Sequence, residues 1–168
     1  VINGGWQLSA GHALERPLDL ADASRAFNRL IDMGFDTFDC ADIYTGVEDF
    51  FGGIIRERRK AGFRLPQIHT KFVPDLNDLA NVTPAYIENI ITRSLRRLGV
   101  ERLDAVQFHW WDYSVPGMVD VAGELVRLQE KGLIRLISTT NFNAVELRKL
   151  IDAGIPVATN QCQIGRAS

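Results

Sequence analysis

Five apolar runs in this chain each end on a polar side chain, and that recurrence limits the fold more than any other feature. FDTFD ends on Asp39, QIHTK on Lys71, LDAVQFH on His109, LIRLISTTN on Asn141 and IPVATNQ on Gln161. A polar or ionisable group at the end of a buried run costs free energy unless it is paired, so such positions serve structural pairing or chemistry. The runs are nearly all apolar, short loops flank them, and helical patterns lie between them. That is the pattern of a parallel sheet covered by helices. In a parallel α/β sheet the C-terminal ends of the strands share one face, so the five groups are expected to converge on a single cleft.

The periodicities predict a first strand at 1–3 and a helix over 19–34 with Leu20, Ala23, Phe27, Leu30 and Ile31 inward, stopped at Gly34. A strand at 35–39 and a helix at 47–61 follow, the helix burying Phe50, Phe51, Ile54 and Ile55. The next strand is expected at 67–71. Thr83 then caps a helix with Pro84 in its first position, closed by Gly99. Strand 103–108, helix 117–131, strand 133–138, helix 143–153 and strand 156–160 complete the reading. The first turn, NGGWQ, is not a GxGxxG fingerprint. Polar groups at consecutive strand ends also suit a barrel better than an open sheet, which gathers its site at one switch point. The expected fold is therefore a TIM (β/α)8 barrel. A complete barrel takes about 250 residues, so this chain supplies about six of the eight units.

Both ends read as cut, and residues 1–168 are expected to form one partial-barrel domain. The first and last strands would then be unpaired edges beside an apolar barrel interior open to water. Such an isolated segment is expected to be unstable or to self-associate. The net charge of −2 and pI near 5.9 argue against nucleic acid or an acidic membrane as partner. The basic residues Arg56 to Lys60, with Arg93, Arg96 and Arg97, are expected on solvated helix faces. No apolar stretch reaches the roughly 18–20 residues of a membrane helix, and no signal peptide is visible. Cys40 and Cys162 read as buried free thiols, which suits a reducing cytoplasm.

Asp39, Tyr44, Lys71 and His109 make chemical sense as a group. Singly, each has an ordinary explanation: an ion pair between strands, a satisfied core histidine, a tyrosine in a loop. Together they can deliver a proton. A cation beside a tyrosine favours the phenolate and lowers its pKa from about 10. A carboxylate behind the lysine keeps it charged and in place, and a histidine can hydrogen-bond a substrate oxygen.

The motifs carrying these residues are DCADIYTGVE over Asp39–Glu48, TK at Thr70–Lys71, HW at His109–Trp110, TNF at Thr140–Phe142 and NQ at Asn160–Gln161. With GLIRLISTTNF, they resemble the aldo-keto reductases, in order and along nearly the whole chain. The resemblance implies an NAD(P)H-dependent reductase of aldehydes or ketones, with a small-molecule carbonyl substrate and NADPH ahead of NADH. It implies Tyr44 as general acid, Asp39 and Lys71 as its tuning pair, and His109 as the residue that orients the carbonyl. Thr140, Asn141 and Gln161 would bind the cofactor's nicotinamide, and Trp6 and Trp110 would wall the substrate pocket. Asp42 has no assigned role, Glu48 matches a position tied to loop and helix structure, and His12 and His69 match no motif. Thr45 separates Tyr44 from Gly46, and Ile164 stands near where an aromatic is usual. The segment that grips the cofactor phosphate would lie beyond Ser168. A cofactor-binding scaffold without catalysis is the alternative; a metal-dependent hydrolase using Asp39 and His109 is disfavoured because no closely spaced ligand set exists.

Overall fold

The computed structural model describes residues 1–10 and 19–163; His12, Ile164 and the rest of the tail lie outside them. Six strands run parallel in sequence order: β1 (Asn3–Gly4), β2 (Thr37–Asp39), β3 (Gln67–Phe72), β4 (Leu103–Phe108), β5 (Ile134–Thr140) and β6 (Val157–Gln161). The connecting helices are α1 (Leu20–Asp32), α2 (Val47–Ala61), α3 (Pro84–Leu98), α4 (Met118–Glu130) and α5 (Ala144–Asp152). Together they form a curled half-barrel, the expected part of a TIM fold. Short 3₁₀ turns cover Trp6–Leu8 and Leu76–Asn81.

Local chemistry explains the boundaries. Asp19 accepts from the amides of Ala21 and Asp22 and caps α1. Thr83 accepts from Tyr86 N ahead of Pro84 and caps α3, and Asn143 accepts from Glu146 N and caps α5. Gly46 starts α2 at φ 80°, a left-handed conformation that lets the chain turn sharply after Tyr44. Gly52 has a different task. A Cβ built there would lie 2.0 Å from Arg97 O, so only glycine allows α2 and α3 to approach this closely.

The two faces of the sheet differ in character. Phe38, Ile68, Phe72, Val106, Phe108 and Ile137 face the helices and form the core. Around Phe38, the rings of Phe27, Phe50 and Phe51 pack with centroids 5.1–5.6 Å apart. The opposite, barrel-interior face carries Asp39, His69, Lys71, Gln107, Ser138 and Thr159, in the registers Asp39↔His69, Lys71↔Gln107 and Gln107↔Ser138. Gln107 Nε2 donates to Asp39 Oδ1 at 3.2 Å, and Thr159 Oγ1 donates to Ser138 Oγ at 3.0 Å. The interior expected to be apolar therefore carries a polar ladder, with the apolar pair Ala105 and Leu136 below Gln107 and Ser138.

Three further expectations change. The first strand sits at Asn3–Gly4 rather than 1–3, and β5 runs on to Thr140 because Thr140 pairs with Gln161. Cys40 is buried, but Cys162 is exposed just past β6. The basic run is not wholly solvated. Arg58 is 5% exposed and donates to Arg64 O, Asn28 Oδ1 and Asp32 Oδ1 at 2.6–2.8 Å, tying α2 to α1. All three bonds satisfy the fork geometry of a guanidinium, which is what makes its burial tolerable.

Candidate active site

A cleft of about 350 Å³ opens at the C-terminal ends of the strands. Asp39, Tyr44, Lys71, His109, Thr140, Asn141 and Gln161 all line it, so seven of the nine expected site residues come together there. Lys71 Nζ donates to Asp39 Oδ1 at 2.5 Å and to Cys40 O at 2.9 Å. With Gln107 donating to the same carboxylate oxygen, Asp39 is held from two strands. The Lys71 ammonium lies 5.4 Å from the centre of the Tyr44 ring.

Tyr44 departs from the expected titration. Its pKa is raised to about 12, first by burial and then by the negative charge of Asp39 and the neighbouring Cys40. The Lys71 ammonium, whose donors point at Asp39 and Cys40, does not cancel this rise. The phenol thus holds its proton throughout the neutral range.

His109 is half-buried, and its pKa is lowered, chiefly by desolvation and also by Lys71, against a backbone bond to Thr140 that raises it. The ring is neutral near pH 7. Nδ1 lies 3.4 Å from Thr140 O, a long contact that suits an N–H at Nδ1, since a carbonyl only accepts. Nε2 is buried with no partner among the described residues. An orphaned ring nitrogen in a cleft is a place for a ligand's polar atom.

The Asn141–Gln161 pair is built from the ends of β5 and β6. Asn141 has φ 59°, the left-handed region, and among the described residues no other non-glycine does. Its N–H donates to Gln161 O at 2.7 Å, and its Oδ1 accepts from Gln163 N at 2.9 Å. Thr140 Oγ1 lies 3.4 Å from Gln161 O. Behind them Asn160 accepts from Phe142 N and Thr139 Oγ1 and donates to Phe142 O, which fixes the turn. The result is a strip of amides and hydroxyls that both donate and accept, the chemistry a carboxamide requires.

The tryptophans are placed differently from the expectation. Trp110 is 2% exposed, packs on Phe108 and donates to Val115 O, away from the cleft. Trp111 takes the wall instead, its ring edge-on to His109 with centroids 4.3 Å apart and Nε1 on Pro74 O at 2.8 Å. Trp6 is 46% exposed in its 3₁₀ turn and is not among the described residues lining the cleft.

Gln107 and Trp111 are the residues that sequence reasoning missed, and Asp42 was named there without a role. Asp42 N donates to Lys71 O, and its Oδ1 accepts from Val73 N at 3.1 Å. Arg93 donates to Asp42 Oδ2 and Arg97 to Glu48 Oε2, each at 3.2 Å; Glu48 Oε1 also accepts from Thr70 Oγ1 at 2.7 Å. Arg93 and Arg97 are thus bound to the loop rather than solvated. Alternation along β4 was the available signal for Gln107 and Trp111, both in phase with His109.

Residues 1–165 match the sequence model of the Aldo/keto reductase family. A methylglyoxal reductase of Yersinia pestis is 29% identical over 164 residues, which cover 96% of this chain and 52% of that protein. The chloroplastic pyridoxal reductase of Arabidopsis thaliana is 28% identical over 180 residues, 98% of this chain and 46% of its own length. The crystal structure of a Bombyx mori aldo-keto reductase in complex with NADP superposes with a TM-score of 0.78 at 22% identity, covering 98% of this chain and 54% of that one. The chain therefore spans about half the length of the relatives it matches.

Proposed function

The chain belongs to the aldo/keto reductase family, and we propose that it forms the catalytic half of an NAD(P)H-dependent reductase of aldehydes or ketones, with NADPH ahead of NADH. The observation that carries the reading is the convergence of Tyr44, the Asp39–Lys71 pair and the unpartnered His109 Nε2 on one cleft.

A bound reduced nicotinamide supplies the hydride. Thr140, Asn141 and Gln161 would hold its carboxamide, since their mixed donors and acceptors fit that group. The chain's own part is to bind the carbonyl and protonate it. Tyr44, raised to about 12, is loaded as an acid at every physiological pH. It becomes a competent donor when negative charge develops on a carbonyl oxygen beside it, because an alkoxide is a stronger base than a phenolate. Lys71 lies close enough to the ring to stabilise the phenolate left behind, and Asp39 with Gln107 keeps that ammonium in place. Against a carbonyl oxygen His109 Nε2 has to donate. Substrate binding then moves the ring proton from Nδ1 to Nε2 and gives up only the long 3.4 Å contact to Thr140 O. Trp111, rather than Trp110, would flank the substrate.

The names of the relatives, a methylglyoxal reductase and a pyridoxal reductase, support small carbonyl compounds as the substrate class. The test is carbonyl-dependent oxidation of NADPH and NADH by the full-length protein that carries this chain, beside Tyr44→Phe. Turnover that falls by about 10²–10⁴-fold in the variant supports Tyr44 as the acid. Cofactor binding without turnover over a broad carbonyl panel would overturn the reading in favour of a non-catalytic scaffold.

A further inference from the structure

Tyr44 sits on a loop that is held from behind. The loop leaves β2 at Asp39, carries Tyr44 into the cleft and enters α2 at Val47. Two buried acids bracket the tyrosine: Asp42 is 5% exposed and Glu48 is 1% exposed. Each is gripped by an arginine of α3, and the two arginines are four residues apart, one turn of the same helix face. Arg97 Nη1 also donates to Asp42 O at 3.1 Å. The close approach that brings α3 within reach depends on Gly52.

Asp42 joins more elements than any other residue of the loop. Its amide bonds to β3 at Lys71 O, one carboxylate oxygen takes the Val73 amide just past β3, and the other takes Arg93. It also faces a second cavity of about 370 Å³ behind the cleft wall, which is bordered by Ile43, Val73, Trp111, Asn89 and Arg93. We propose that Asp42 is a positioning residue: its two carboxylate oxygens, one on the Val73 amide and one on Arg93, hold the Tyr44 loop against β3 and α3. The inference rests on the reading of Tyr44 as the proton donor.

The charged and titratable groups around Asp42 are Glu48 on α2, Lys71 and Asp75 on β3 and the loop after it, Tyr86, Arg93 and Arg97 on α3, and Cys40 at its own strand end. Burial and the nearby Glu48 raise the Asp42 pKa to about 7, and the Val73 amide and the two arginines only partly counter them. A loop that opens returns Asp42 to water and to an ordinary carboxylate pKa, so the closed loop holds the proton more tightly and rising pH favours opening. Neither Tyr44, which titrates far above this range, nor His109, shifted below its usual value, accounts for a transition there.

The experiment uses the full-length protein carrying this chain, with Asp42→Asn and Arg93→Gln as variants. The pH dependence of kcat/KM is measured from pH 5.5 to 8.5. Amide exchange at Asp42, Tyr44, Val47 and Val73 is followed at pH 6 and pH 8, corrected for intrinsic rates and without cofactor. The wild type is expected to lose both activity and protection as pH rises from 5.5 to about 7 and to level off above, because the open loop releases the proton that buried Asp42 holds. Asp42→Asn flattens both profiles and lowers kcat/KM at pH 8 by roughly tenfold, through kcat more than KM, on the scale that misplacing a reacting group costs. Arg93→Gln, which removes a charge that lowers the Asp42 pKa, moves that limb upward. A melting temperature lowered without a shift in the limb marks a purely structural role and overturns the proposal, as does wild-type protection that is equal at the two pH values. If the wild type turns over no carbonyl, the reductase reading fails, and the exchange data alone decide whether Asp42 holds the loop.

Discussion

Asp39 and Asp42 lie three residues apart on one turn of chain, both buried and both paired with a cation, yet they face opposite ways. Asp39 points into the cleft. Its partner Lys71 is as deeply buried as it is, and Gln107 donates to the same oxygen. Asp42 points back toward the helices. Its partner Arg93 reaches in from solvent with 36% of its side chain exposed, and a second acid, Glu48, lies close enough to raise its pKa. The inner pair lines the cleft, where Lys71 also reaches Cys40 O and faces the Tyr44 ring. The outer one is partly screened and shares its charge with a neighbour. Position relative to the sheet, more than residue type, sets what each aspartate can do: in the proposed reaction the inner pair would tune the proton donor, and the outer one would hold the loop that presents it.

Breaking the inner pair has the largest expected effect. Lys71→Met leaves Asp39 buried without its cation, which costs about 3–5 kcal/mol. It also removes the positive charge facing Tyr44, so turnover falls together with stability. Urea denaturation and steady-state assays on the same preparation check both parts. A variant of wild-type stability would show that Asp39 is more hydrated than its 7% exposure indicates.

The outer cluster breaks more gently, and from a distance. Gly52→Ala places a methyl 2.0 Å from Arg97 O, and the carbonyl cannot move without shifting α3. Overpacking of this kind costs about 1–3 kcal/mol. The displacement carries Arg93 and Arg97 away from Asp42 and Glu48 while the Asp39–Lys71 contact remains. The expected signature is a lower melting temperature with a loosened loop 41–48 in amide exchange and an undisturbed β3. Uniform loosening of both clusters would mean that the two are not separable.

The inner pair was legible in the sequence, and the outer cluster was not. Asp39, Lys71 and His109 end apolar strands, and a parallel sheet has to bring such ends together. Helix α2 matched its expected range, 47–61, because Phe51, Ile54 and Ile55 recur at helical spacing and a glycine closes it. The first strand was misplaced because two residues at a sheet edge leave almost no periodic signal. Trp110 was expected in the cleft wall because the resemblance implied it, whereas alternate side chains point to opposite faces and put Trp111 in phase with His109. Arg58, Arg93 and Arg97 resembled a solvated stripe. Their carboxylate partners lie between 26 and 51 residues away, and the α2–α3 approach that brings Arg93 and Arg97 to theirs turns on a single missing Cβ. No local pattern encodes such a pairing.

The smallest effect sharpens the contrast most. The Asp42 pKa rises on folding from 3.8 to about 7, so the folded state binds the proton more tightly than the unfolded chain. Stability from this group is therefore full below about pH 4 and is lost as pH rises toward 7, with a slope of at most about 1.4 kcal/mol per pH unit. His69 and His109 work in the opposite direction. Both are lowered from 6.5 by burial, so their contribution is present above that value and fades as pH falls. Both rings are only half-buried, and solvent screening reduces their share. The wild-type curve between pH 5 and 7 is thus a partial cancellation, and its shape alone assigns nothing. The difference between wild type and Asp42→Asn removes the histidines, which are common to both. Denaturant midpoints taken at half-unit intervals should give a difference curve in which the variant gains on the wild type as pH rises through 5 to 7 and stays level above 7.5. A flat difference curve would mean that Asp42 keeps its ordinary acidity when buried, and that the outer cluster holds its charge as firmly as the inner pair.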